Sequence, residues 1–113
     1  MTDHITIRPT TGTWVVRAGG AVLGESAQAL ELIEGDRPPV IYFPRGDIAM
    51  TFLDRTDRTT VCPFKGTASY YAIASRSGTL DNAVWSYEDP HPEVSAIKGY
   101  LSFYTDRVAV EQV

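Results

Sequence analysis

Ala68-Ser69-Tyr70-Tyr71-Ala72-Ile73-Ala74 alternates as a strand does and ends on the turn sequence Ser75-Arg76-Ser77-Gly78. Successive side chains of a strand point to opposite faces, so Tyr70 and Tyr71 serve different surfaces and the segment reads as a central strand. Just upstream lies Val61-Cys62-Pro63-Phe64-Lys65-Gly66, with the only cysteine of the chain, a lysine and a turn glycine. From 61 to 71, a thiol, an amine and three rings crowd beside a proline and a glycine. An ordinary strand has no need of that density, and the stretch looks like part of a site.

Working outward, short elements separated by turn chemistry fill the rest of the chain. Ile5 and Ile7 alternate with polar residues as in a half-buried strand. Residues 13–18 and 21–24 flank Gly19-Gly20, a pair that takes the positive φ of a tight hairpin. Residues 26–34 place apolar side chains at 27, 29, 30, 32 and 33, with Ser26 as N-cap and Gly35 as C-cap, which predicts a short helix. Pro38-Pro39 blocks its continuation. Residues 40–43 form a buried strand closed by Pro44, and Arg45-Gly46-Asp47 turns the chain, with Asp47 as cap of a helical turn or part of a strand. The polar run 54–60 reads as a loop and 84–87 as a strand. Pro90, Pro92 and Glu93 suit a helix start, so a second brief helix is expected over 93–98. Residues 100–104 and 108–110 are expected to pair around Thr105-Asp106. The sum is a mainly β fold, an antiparallel barrel or sandwich with two short helices.

A chain of 113 residues fits one domain, 1–113. Hydrophobic content of 43% against 21% charged residues is that of a globular protein. One cysteine excludes an intramolecular disulfide and any four-cysteine zinc site, and a free thiol suits a reducing compartment. Net charge is −4, and lysine and arginine are scattered singly, so duplex nucleic acid finds no basic stripe. Met1-Thr2-Asp3-His4-Ile5 has neither the basic nor the apolar region of a signal peptide. No apolar run approaches the roughly 20 residues of a membrane span. A cytoplasmic protein that binds no membrane is expected, and its oligomeric state stays open.

Arg45 and Lys65 are the leading site residues. Each stands in an aromatic–proline context beside a glycine that permits close backbone approach. Together they would clamp a carboxylate or phosphate, Arg45 through bidentate geometry and Lys65 as a point charge. Alternatively they pair with Asp47 or Glu88 as a structural network. Tyr42, Phe64, Tyr70, Trp85 and Tyr87 are the rings expected to wall such a site, Trp85, Tyr87 and Phe64 first among them, though half of the aromatics belong in the core. Cys62 is a weak candidate nucleophile, against the ordinary reading of a buried thiol. Glu88 is a weak candidate general base, against a capping role before the second helix.

Tyr42-Phe43-Pro44-Arg45 with Asp47, Cys62-Pro63-Phe64-Lys65-Gly66 with Tyr70-Tyr71, Ala83-Val84-Trp85-Ser86-Tyr87-Glu88, and Gly99-Tyr100 with Phe103-Tyr104 and Asp106-Arg107-Val108 resemble, in order, the domain-of-unknown-function family 427. The resemblance covers nearly the whole chain. It implies a β-tent, or Mss4-like, architecture, as in methionine sulfoxide reductase B domains and the thalidomide-binding domain of cereblon. Many such relatives hold zinc on two Cys-x-x-Cys knuckles. This chain has none, so no metal or cofactor is expected and apolar packing replaces the zinc. The family also carries a nucleotidyltransferase label. Metal-dependent nucleotidyl transfer needs close carboxylates. Here Asp54 and Asp57 share only a polar run, Glu88-Asp89 abuts prolines, and no glycine loop cradles phosphate.

Three functions follow. The first is a small-molecule binding domain whose pocket, built from residues 42–47, 62–71 and 85–88, takes a small anionic or planar polar ligand of unknown identity. The second is an enzyme at the same place, a transferase or hydrolase acting on a nucleotide-like substrate or a thiol catalyst. The third is a protein-interaction module with an exposed aromatic face.

Overall fold

A computed structural model describes residues 4–113, so the reading of the first residues as free of a leader lies largely outside the described residues. Ten strands run β1 (Ile5–Pro9), β2 (Trp14–Ala18), β3 (Ala21–Ser26), β4 (Leu30–Glu34), β5 (Val40–Tyr42), β6 (Leu53–Cys62), β7 (Gly66–Ser75), β8 (Gly78–Ser86), β9 (Ser102–Phe103) and β10 (Ala109–Gln112). They form three antiparallel sheets, ordered β1-β4-β5, β10-β2-β3 and β6-β7-β8-β9. No barrel closes among the described residues.

β7 is central, as expected: β6 pairs along one edge and β8 along the other. Its two faces feed two cores. Tyr71 and Ile73 join Val16, Leu23, Phe43 and Leu101 on one side. Ala68 and Tyr70 join Leu32, Tyr42, Tyr87 and Ile97 on the other. Because both faces are covered, burial is continuous from Ala68 to Ile73, and the expected alternation is one of side-chain direction rather than of polarity. The Gly19-Gly20 turn joins β2 to β3 with φ of 57° and 83°, as expected of the pair. Phe43 and Leu101, both fully buried, exchange backbone hydrogen bonds of 2.8 and 2.9 Å and tie the β5 segment to the approach to β9.

The helix expected over 26–34 is absent. Ser26 ends β3, and its Oγ accepts from the Gln28 N–H at 2.9 Å, turning the chain into strand β4. Over so short a segment both periods fit the apolar pattern, and pairing of β4 with both β1 and β5 settles it for the strand. The second expected helix survives only as 3₁₀ turns over Pro92–Ile97, kinked at Val94. Further single 3₁₀ turns span Arg45–Asp47 and Met50–Phe52, both without a side-chain cap, so Asp47 does not serve as the cap expected of it.

The polar run 54–60 is also a strand. Its charges mark an exposed edge, where Asp54, Arg55, Asp57 and Arg58 discourage pairing with another chain. The pairing breaks between Arg55 and Thr59, so 56–58 bulge opposite Tyr70. There Thr56 Oγ1 donates to Asn82 Oδ1 at 2.6 Å, and Asn82 holds a φ of 54°. The two C-terminal strands do not pair with each other. β9 extends the central sheet beside β8, and β10 crosses to β2. No helix among the described residues is long and apolar enough to cross a membrane.

Candidate functional site

The alternation that sends Tyr70 and Tyr71 apart also divides the residues singled out in the sequence. Tyr42, Lys65, Tyr70, Trp85 and Tyr87 come together in one cleft of about 230 Å³ between β4-β5 and the central sheet. Arg45 and Asp47 lie elsewhere, and Phe64 packs edge-on against His4 with ring centroids 4.6 Å apart. The expected clamp of Arg45 with Lys65 is therefore not formed, because the two cations serve different side-chain networks.

Lys65 is 9% exposed, held in the turn between β6 and β7. Its backbone N–H donates to Cys62 and its carbonyl accepts from His91, while Gly66 supplies the φ of 113° that releases the chain into β7. The ammonium donates to Glu34 Oε1 at 2.9 Å and lies 5.9 Å from the centroid of the Tyr87 ring. The Lys65 hydrogen bond outweighs burial and holds the Glu34 carboxyl below the usual carboxylate range. An ion pair with both side chains largely withdrawn from water needs such a bond to offset desolvation.

Aromatic side chains make the walls. Trp85 and Tyr104 pack 4.6 Å apart, Tyr42 meets Trp85 edge-on at 6.3 Å, and Tyr70 stacks parallel to Tyr104 at 6.5 Å. Their polar tips are linked: Trp85 Nε1 donates to the Tyr42 hydroxyl at 3.3 Å, and the Tyr70 hydroxyl bonds Thr60 at 2.9 Å and Tyr104 at 3.3 Å. Burial pushes the phenols of Tyr42 and Tyr104 up to about 12. It pushes Tyr87 up as well. Burial acts on Tyr70 in the same sense, yet bonds to Thr60 and Tyr104 and the Arg58 guanidinium over its ring prevail and lower it. The cleft thus offers flat faces, hydroxyls and one neutralised charge pair.

Arg45 sits on the opposite face of the central sheet. Its Nε donates to the Gly99 carbonyl at 3.1 Å, and its Nη atoms donate to Tyr71, Ser86 and Glu88 at 3.1, 3.3 and 3.0 Å. Four of its five N–H donors are thereby committed inside the protein. Glu88 also receives the Tyr71 hydroxyl and, through its other oxygen, Arg55 at 3.0 Å. Burial raises the Glu88 carboxyl, but Tyr71, Arg55 and Arg45 outweigh it and keep it below the ordinary range. The network alternative for Arg45 and Glu88 is what the geometry forms. Asp47 accepts from Ser26 Oγ at 2.7 Å and fastens β3 to the segment after β5. Cys62 is half-buried at the edge of the core that holds Tyr70, and the Lys65 ammonium is directed to Glu34. Among the described residues no group of three or more His, Cys, Asp or Glu side chains is placed to hold a metal ion.

Glu34 and Tyr104 were not among the residues expected in the site, although Tyr104 belongs to the motif that carries the resemblance. The spacing Leu30, Leu32, Glu34 carried the signal for the first: on a strand these three share one face, where Leu30 packs on the core and Leu32 and Glu34 line the cleft.

Sheet architecture and cleft define a mainly β domain with an aromatic hollow between two of its sheets. The chain belongs to the family described as a domain of unknown function, DUF427, whose model matches residues 6–113. No curated protein matches it.

Proposed function

We propose that this protein is a small-molecule binding domain and that its site is the cleft around Lys65, Glu34, Trp85 and Tyr104. The carrying observation is the largely buried Lys65–Glu34 pair in the lining of a hollow walled by rings. Glu34 Oε2 meets His4 Nε2 at 3.4 Å, and beyond that contact the ammonium protons and carboxylate lone pairs still exceed what the pair uses on itself, leaving a donor and an acceptor side by side. A neutral planar group with adjacent C=O and N–H, as in a cyclic amide, matches that arrangement and lies flat on Trp85. Glu34 already neutralises Lys65, which favours a planar polar ligand over an anion. At about 230 Å³ the hollow suits a single ring.

The finer fold reading, a zinc-free β-tent, draws support from three small antiparallel sheets that enclose two separate apolar cores.

A thermal-shift screen of nucleotides, small carboxylates and cyclic amides tests the reading. Cyclic amides are expected to raise the melting temperature of the wild type and of Arg45→Ala, but not of Trp85→Leu. No shift with any probe, or an undiminished shift in Trp85→Leu, overturns it.

A further inference from the structure

Beside the cleft lies a second hollow of about 600 Å³, walled by Trp14, Pro39, Ile41, Phe103 and Val110. Trp85, Tyr104, Arg37, Pro38 and Val40 line both, so the hollows are neighbours across a shared wall. Their chemistry differs. The larger hollow is walled mostly by apolar side chains, and of its polar groups Glu31 accepts from Arg8 at 2.8 Å and Ser102 Oγ donates to the Ile41 carbonyl at 2.8 Å, while Trp14 Nε1 is buried without a partner among the described residues. What it mainly offers is apolar contact, with that single indole N–H as a donor. In the smaller hollow Lys65 and Glu34 retain free donor and acceptor capacity.

We propose that the ligand is amphiphilic, with a planar polar head in the cleft and an apolar arm that passes Trp85 and Tyr104 into the larger hollow. This rests on the cleft being the ligand site and adds the chemical class of what extends from it. An arm buried there gains roughly fourfold in affinity per methylene until the hollow is filled. Thr105 stands exposed at its rim and lines only this hollow, which makes it the place to block.

The test measures binding of δ-valerolactam and its ring-carbon alkyl derivatives, from methyl to hexyl, by calorimetry. Wild type is expected to bind the parent lactam and to tighten several-fold with each added carbon. Thr105→Trp is expected to bind the parent unchanged and to lose the gain from the longer arms. Val110→Asp, which sets a carboxylate in the wall, is expected to do the same and serves should Thr105→Trp fold poorly. Equal affinity along the series overturns the arm and leaves the polar site standing. So does a length-dependent gain that persists in both variants. If no member binds, both readings fall.

Discussion

Lys65 Nζ and Glu34 Oε1 meet at 2.9 Å across the cleft, one from the β6–β7 turn and the other from the end of β4. Neither is replaceable alone, because removing one partner leaves the other charged and withdrawn from water. Lys65→Met is expected to cost about 3 kcal/mol, and Lys65→Met with Glu34→Leu to recover most of it. Denaturant unfolding of the two single variants and the double variant checks this. Additive losses would show that the pair is not coupled.

The same pair sets an acid limit. Glu34 is held below its ordinary value in the folded protein, so above the unfolded value its ionisation favours folding. That contribution is lost as pH falls through the folded value. The stability difference between wild type and Glu34→Gln is therefore expected to shrink between about pH 5 and pH 2, as guanidinium midpoints would show. A difference that stays constant over that range rejects the assignment.

At alkaline pH the sign reverses. Tyr42 and Tyr104 keep their protons up to about 12 when folded, while unfolded phenols release theirs near 10. Above about pH 10 the unfolded chain binds fewer protons, so stability is expected to fall with pH. Tyr42→Phe should flatten that fall, and a pH series of unfolding curves reads it. An equally steep decline in the variant would place the cause elsewhere.

Arg45 holds Gly99, Tyr71, Ser86 and Glu88 with one planar fork. A lysine cannot reproduce four directed bonds, so Arg45→Lys is expected to cost about 2 kcal/mol in stability. Lactam binding measured below the shifted melting point should be unchanged. Loss of binding without loss of stability would move Arg45 into the site.

Gly24 is irreplaceable for want of space. A Cβ there would lie 2.4 Å from the Asp47 carbonyl oxygen and 2.6 Å from Ile48 Cδ1, where β3 bridges to Ile48. Gly24→Ala is expected to lose about 2 kcal/mol, read from the denaturation midpoint. A neutral substitution would mean the bridge opens freely.

Much of this arrangement was legible in particular residues. Tyr70 and Tyr71, adjacent and directed to opposite faces, announced a central strand, and Gly19-Gly20 announced the β2–β3 hairpin. Residues 26–34 were not legible, because a segment of nine fits apolar spacing of either period and only the neighbouring β1 and β5 decide between them. Misplacing β4 on a helix hid Glu34, and with it the partner of Lys65. Clamp and network stayed open for Arg45 because its partners at 71, 86, 88 and 99 come from separate stretches of chain. Likewise β10 finds β2 from the far end of the sequence, a choice that no local turn signal encodes.

Since β7 supplies side chains to both apolar interiors, occupancy on one side of it should be felt on the other. A molecule seated against Tyr70 would slow amide exchange at Tyr71 and Ile73, and through them at β2 and β3, without touching any of these. The protein would answer its ligand by tightening as a whole, a signal readable far from the point of contact.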